Sequence, residues 1–362
     1  MPFVQSSPIL PVELLHQILS YTSQGTLASA CRTSKTLYGI ASPLLWKHLV
    51  LGPWKVHEDG KVIRDDKNKE ILDENKENCG AIKSSRAEGQ AMGTIVKTFS
   101  LYHHLFDWCQ SIDRSTLQLP NAHTLHLYLS DKYRIHEDLK GHLCRLLRGA
   151  RPKVIICHNA CLRVLDFSAI GSRRLFEETQ TLFFVSCAHQ AEKCQLYPHV
   201  FRYESTTLKD IFWLFEPQSI GPSARSNSFS LGDFVRDIAT LAIDFHQTRI
   251  TFINSGVIGL LDTPWRHTPN KIHQKEIARD MKEVLEGKLK RSQNWSEEEK
   301  KQRIDSIRFM DFDEFLAEEQ WWKYLDSEQV SKWKEVSENQ FRKRHDFSDG
   351  ADIVDEGDTV NH

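Results

Sequence analysis

Apolar positions crowd into the first fifty residues of the chain. Leu10, Leu14, Leu15, Ile18 and Leu19 recur at helical spacing, which predicts a short helix that is apolar over more than one face. Leu27 and Ala30 mark a second short helix, and Leu37, Ile40, Leu44, Leu45 and Trp46 mark a third and a fourth. Pro11 suits a first helical turn, where its missing N–H costs nothing, and it biases Leu10 toward extended geometry. Ser34 is placed to cap the helix carrying Leu37, and Ser42-Pro43 repeats a cap-then-proline signal before Leu44. A module of about 40–50 residues rarely buries enough surface to stand alone. Its surplus apolar surface must face either the rest of the chain or a partner.

The pattern then changes. Residues 51–93 are polar and aperiodic, as in a charged loop or linker. Within 94–268, short runs in partial alternation predict strands at 95–101, 121–129, 162–167, 181–185, 208–214, 238–245 and 249–253. Helical candidates lie between them, at 105–112 and 139–147. Such alternation favours an α/β region with a parallel sheet. Residues 269–345 read as charged helices. One carries an apolar face of Ile277, Met281, Val284, Leu285 and Leu289, and a capping box begins at Ser296. Phe312, Phe315, Leu316, Trp322 and Leu325 form another stripe, and Asp326-Ser327 starts a further helix. Trp321, Trp322 and Trp333 read more simply as packing residues than as a partner-binding face. Residues 346–362 read as a disordered acidic tail.

The N-terminal residues carry a family likeness. Leu10-Pro11, Glu13-Leu14-Leu15, Ile18-Leu19, Leu27, Ala30, Ser34-Lys35, Leu37, Ala41, Pro43 and Leu45-Trp46 occur in an order that resembles the F-box motif, over residues 8–50. The resemblance implies a helical module, residues 1–50, that docks the Skp-family adaptor of a cullin–RING ubiquitin ligase. Carried onto this sequence, the adaptor-binding residues would be Leu10, Pro11, Leu14, Leu15, Ile18, Leu44, Leu45 and Trp46. The remainder of such a chain selects the target protein. Residues 94–268 in turn resemble a degenerate leucine-rich repeat, as in Leu117-x-Leu119 followed by Leu125-x-Leu127-x-Leu129. The repeat period is uneven, and the asparagine or cysteine that closes each repeat is absent or displaced. A single irregular α/β domain is the other reading of this region. The expected fold class is therefore mixed α+β or α/β: a helical F-box module, a leucine-rich-repeat-like region of strands and helices, and C-terminal helices.

Composition narrows the functional classes. Hydrophobic content of 40 % and charged content of 27 % are those of a globular protein. A formal net charge of -2 gives no global field to attract nucleic acid or an acidic membrane. The N-terminus lacks the pattern of a signal peptide, no apolar run reaches membrane-span length, and the eight cysteines are scattered. Together these favour a reducing cytoplasmic or nuclear setting.

Candidate chemistry is sparse. Cys157, His158 and Cys161, with Cys187, His189 and Cys194, have the ligand types of a tetrahedral zinc site, but not its usual spacing. Cys157 also continues the apolar run Val154-Ile155-Ile156, where a buried thiol is ordinary. The expectation is no metal, no cofactor and no catalytic residue. No phosphate-binding loop or nucleophile elbow is present, and His103-His104 has no carboxylate spaced to make it a base. The leading reading is a non-enzymatic substrate receptor for a ubiquitin ligase. The alternatives are an F-box scaffold acting outside the ligase, or an α/β enzyme whose N-terminus only resembles an F-box. The target protein cannot be read from the sequence.

Overall fold

A computed structural model of the chain describes residues 10–51, 93–104, 109, 119–129, 144–147, 150–160, 175–186, 207–217, 231–258, 270–291, 295–318 and 320–348. Three helices open the chain: α1 (Val12–Ser20), α2 (Gln24–Thr33) and α3 (Lys35–Leu45). Pro11 takes the N-cap position of α1 with extended backbone, and its carbonyl accepts the Leu15 N–H at 3.0 Å. Ser23 caps α2 by accepting from Thr26 N, and Ser34 caps α3 by accepting from Leu37 N at 3.1 Å. Leu19, Leu27, Ile40 and Ala41 form the module's own core, with Leu15, Ala30, Cys31, Leu37, Leu44 and Leu45 packed partly buried against it.

One expectation fails here. Residues 37–46 make one helix, not two, with Pro43 inside it. Ser42 caps nothing at that point; its carbonyl accepts from Trp46 N at 3.0 Å, so the turn continues through the proline. The chain then leaves α3 as a strand.

Strands β1 (His48–Leu51), β2 (Thr98–Tyr102), β3 (Thr124–Tyr128), β4 (Val154–His158), β5 (Thr181–Ser186), β6 (Asp210–Phe215), β7 (Arg249–Ile253) and β8 (Ile307–Met310) follow one another in the sheet in chain order. Every pairing with a defined register is parallel. Successive strands β2 to β6 begin at residues 98, 124, 154, 181 and 210, steps of 26, 30, 27 and 29 residues. The chain divides into two compact units, the first holding 1–159, 165–182 and 203–208, the second holding 160–164, 183–202 and 209–362.

In the first unit β1 to β4 are paired so that equivalent residues align across the ladder: Phe99 with Leu125, Leu125 with Ile155, Leu127 with Cys157. Alternation then sorts the side chains. Leu49, Leu51, Phe99, Leu101, Leu125, Leu127, Ile155 and Cys157 all point to the buried face. Burial of the Cys157 thiol pushes its pKa up to about 12, so it behaves there as a small apolar group.

In the second unit both faces are covered. Trp213 and Phe252 lie across one face with Phe184 and Phe309, and Phe215 meets Phe234 edge-on at 5.9 Å. Phe183 and Phe212 stack at 5.7 Å on the other face, where Phe315 and Tyr324 close over Phe183 at 6.0 and 5.1 Å. Helices α4 (Leu231–Asp244) and α5 (Asn270–Arg291) pack along each other. Ile277, Met281, Leu285 and Leu289 form the expected apolar face of α5 and are fully buried.

Helix α6 (Glu297–Asp305) starts with a full capping box, Ser296 and Glu299 bonding each other's backbone. It delivers Arg303 into the interior, where the guanidinium donates to the carbonyls of Ala242 and Thr248, both at 2.6 Å. The cation thereby closes the C-terminal end of α4. Helix α7 (Phe312–Glu318), a 3₁₀ turn at Trp321–Lys323 and α8 (Ser327–Ser348) complete the described chain. Trp333 is buried against Phe312, whereas Trp322 is exposed.

Residues 238–245, expected as a strand, lie within α4 and the turn after it. The reason is periodicity over a longer window: Phe234, Val235, Ile238, Ala239, Leu241 and Ala242 recur at three and four and are all buried. Asn159 and Asn254 each follow a strand in left-handed conformation, with φ of 56° and 60°. Each donates from Nδ2 to a neighbouring strand end, Asn159 to Leu129 O and Asn254 to Phe215 O. The expected strand at 162–167, the helix at 105–112 beyond Cys109, and Leu139 and Leu143 lie outside the described residues, as does the polar stretch 52–92.

Candidate functional site

Two surfaces of the first unit concentrate distinctive chemistry. The first is the helical module. Burying Leu19 orients α1, and the spacing of its other apolar residues then turns them outward. Leu10, Val12, Leu14 and Ile18 are 40, 48, 46 and 52 % exposed, and Pro11 is exposed beside them. Leu15, Leu44 and Leu45 are half-buried on the module's own core, and Trp46 is half-buried at the end of α3. Of the eight residues singled out in the sequence, Leu10, Pro11, Leu14 and Ile18 are exposed, Leu15, Leu44 and Leu45 help hold the module together, and Trp46 is half-buried. Tyr21 and Tyr38 add exposed rings on the same module. Large apolar side chains left exposed on so short a helical module mark an interaction surface.

The second surface is the opposite face of the β1–β4 ladder. The register that buries leucines on one side lines up polar and aromatic residues on the other: Ser100 beside His126, and Tyr102 beside Tyr128 beside His158. The Tyr102 and Tyr128 rings stack at 4.0 Å, and Tyr128 stacks on His158 at 4.1 Å. His126 Nδ1 and His158 Nε2 share a hydrogen bond of 3.1 Å, so one nitrogen donates and the other accepts. His48 Nε2 and Ser100 Oγ are bonded at 2.8 Å, and the His48 ring lies 6.1 Å from that of His126. These rings are partly accessible, apart from His158, which is buried at 4 % exposure. A rigid face of histidine and tyrosine has large contact area, low rotamer entropy and polar edges, the properties favoured at recognition surfaces.

At the N-terminal edge of the same strands, Lys97, His123, Arg151 and Lys153 border an open cleft of about 530 Å³. Burial, then the charges of Lys153 and Lys97, hold the His123 imidazole below its ordinary pKa range. Arg151 is offset by Glu177 and Glu178 at 3.3 and 3.5 Å.

The metal ligands weighed from the sequence do not assemble into a described site. Cys157 faces the apolar core and His158 faces the opposite side of the sheet; Cys161, Cys187, His189 and Cys194 lie outside the described residues. Instead, one group of metal-type donors occurs among the described residues: His104, Cys109 and Cys144, all buried, with donor atoms within 4.8 Å of one another. Burial pushes the Cys144 thiol well above its ordinary range, and the adjacent Cys109 adds to this; the backbone N–H groups of Leu146 and Leu147 act in the opposite sense. The sequence signal for this group was weak because its three residues are scattered over forty positions.

Residues 8–52 match the family model F-box-like, so the N-terminal helices are an F-box-like domain. No curated relative matches the chain. No described helix is long and apolar enough to cross a membrane.

Proposed function

We propose that this chain is the substrate receptor of a cullin–RING ubiquitin ligase. It docks a Skp-family adaptor through the F-box-like domain and holds a target protein with the remainder. The observation that carries this reading is the exposure of Leu10, Leu14 and Ile18, with Val12 also exposed, on a short domain of that family. Apolar anchors at the centre of an interface supply most of its affinity, and these exposed side chains are not part of the module's own core.

The chain itself makes and breaks no bonds; it contributes by proximity, bringing a bound target near a ubiquitin-charged enzyme. The target side is the histidine–tyrosine face of β1–β4, on a leucine-rich-repeat-like scaffold. Parallel strands in chain order, steps of 26 to 30 residues, and strand-closing asparagines support that scaffold. Its setting is the cytoplasm or nucleus, where such ligases work.

The deciding experiment is affinity purification with mass spectrometry, comparing the intact chain with one lacking residues 1–50. Recovery of a Skp-family adaptor by the intact chain only is the expected result. Full-strength adaptor binding after Leu10→Ala and Pro11→Ala together contradicts the reading. Cullin co-purifying with the adaptor separates a ligase subunit from a scaffold that uses the adaptor alone.

A further inference from the structure

We propose that His104, Cys109 and Cys144 form a buried metal site of the class that binds zinc, a Cys₂His donor set that ties the segment after β2 to the 3₁₀ turn at Arg145–Leu147.

Two of the three donor–donor distances match those around a shared ion, and all three donor atoms lie within 4.8 Å of one another. Cys109 Sγ and Cys144 Sγ are 3.6 Å apart, and Cys144 Sγ is 3.5 Å from His104 Nε2. A tetrahedral zinc with Zn–S of about 2.3 Å and Zn–N of about 2.0–2.1 Å places two sulfurs roughly 3.8 Å apart, and sulfur and nitrogen roughly 3.6 Å apart. Both edges agree within about 0.2 Å, the tolerance such a site allows.

The surroundings fit as well. His104 Nδ1 lies 2.9 Å from the Tyr102 carbonyl, an oxygen that can only accept. Nδ1 therefore carries the proton in the neutral ring, leaving the Nε2 lone pair toward the sulfurs. This is the usual outer hydrogen bond of a metal-bound histidine. The Arg145 N–H donates to Cys109 Sγ at 3.2 Å, an outer hydrogen bond of the kind a metal-bound sulfur accepts.

Charge balances too. On binding, each thiol releases its proton to solvent, and two thiolates with one divalent ion make a neutral group. That is the form a site with all three residues buried can hold at low desolvation cost. Three protein donors leave the fourth tetrahedral position to a water or a further side chain.

The same positions could hold two thiols and a histidine in a plain hydrogen-bond chain, or a Cys109–Cys144 disulfide, and the test separates these. Untagged full-length chain is purified with its adaptor, reduced and without chelator, and its metal content is measured by elemental mass spectrometry. About one zinc equivalent per chain is expected, with cobalt substitution giving sulfur-to-metal charge-transfer absorption. Cys144→Ser and His104→Gln are expected to lower zinc content about tenfold or more, whereas Cys157→Ser, which removes a buried thiol outside the group, leaves it unchanged. If the variants fail to fold, the intact chain still decides. Metal-free protein that takes up neither zinc nor cobalt overturns the proposal. So does a Cys109–Cys144 disulfide in its place, or zinc retained in both ligand variants. Adaptor binding is read in the same samples, so loss of the metal and loss of the ligase reading remain separate outcomes.

Discussion

Tyr128 lies face to face on His158, with ring centroids 4.1 Å apart and planes within 3° of parallel. Parallel pairing in register causes this, because it sets equivalent side chains of adjacent strands side by side at about the 4.8 Å strand spacing. Tyr102 extends the stack on the other side of Tyr128. Truncation of the central ring therefore removes two aromatic contacts at once. At about 0.5–1.5 kcal/mol per aromatic pair beyond area burial, Tyr128→Ala should cost about 1–3 kcal/mol. Urea unfolding of the intact chain measures this; an unchanged midpoint would mean the stack carries no stability.

The exposed and buried leucines of α1 should behave oppositely. Leu14 and Ile18 are about half exposed, whereas Leu19 is 8 % exposed in the module's core. Leu14→Ala with Ile18→Ala should weaken adaptor binding at least about tenfold, as removal of central apolar anchors does, and leave the melting temperature nearly unchanged. Leu19→Ala should instead cost about 2–4 kcal/mol of folding stability through the cavity it leaves. Calorimetric titration with the adaptor and thermal melts of the same samples decide. Equal effects on both readouts would mean that the two faces are not distinct.

Much of this was legible from the sequence where the signal was local. The helical module follows from apolar spacing and serine caps that lie within ten residues of what they cap, except that the Ser42-Pro43 signal wrongly divided α3 into two helices. The capping box at Ser296 and the buried stripe of α5 are similarly self-contained. The strands were harder. β4 reads as an unbroken apolar run with a histidine at its end, and β1 and β8 are only four residues each, too short to establish a period in the sequence. The run in α4 resembled a strand because the window began at residue 238, past half of its helical repeat. The two functional groupings were less legible still. The histidine–tyrosine face exists only through register between strands 26 and 30 residues apart, and His104 meets Cys144 across forty residues. No one-dimensional spacing encodes either contact.

Arg303 should be the most sensitive charged residue of the second unit. It is 2 % exposed, and burial lowers its pKa to about 10, so it stays protonated near neutrality. Its Nε and one Nη satisfy the carbonyls of Ala242 and Thr248; the other Nη has no partner among the described residues. Arg303→Met strands two carbonyls, which at roughly 1–3 kcal/mol for each unmet buried group should cost about 2–6 kcal/mol. Arg303→Lys should not restore it fully, because one ammonium cannot reproduce the fork. Denaturant unfolding of the three proteins tests this, and a lysine variant as stable as the native chain would show that charge alone suffices.

His123 gives the first unit a small acid sensitivity of defined sign. Its folded-state pKa is depressed, first by burial and then by Lys153 and Lys97. The unfolded chain therefore takes up this proton at higher pH than the folded chain. The associated stability is fully present above the unfolded value of about 6.5 and falls as pH drops through it toward the folded value. The ring is largely exposed, so the change is modest. His123→Gln should flatten the slope of melting temperature between pH 7.5 and pH 5 at constant ionic strength; a steeper slope would reverse the assignment.

Asn254 supplies the last test, of how the strands of the second unit are closed. Its backbone sits at φ 60°, its Nδ2 donates to Phe215 O at 2.8 Å, and its N–H donates to Met310 O at 2.8 Å. The residue therefore links the ends of β6, β7 and β8. Asparagine suits the position because it tolerates the left-handed region and carries a donor of the required length. Asn254→Gly keeps the backbone geometry but loses the side-chain bond, leaving a buried carbonyl unmet at a cost of about 1–3 kcal/mol. Asn254→Ala loses the bond and adds strain from its Cβ in the left-handed region, roughly another 1 kcal/mol. The expected stability order is native, then glycine, then alanine, read from denaturation midpoints. Alanine at least as stable as glycine would show that backbone conformation is not what selects asparagine here.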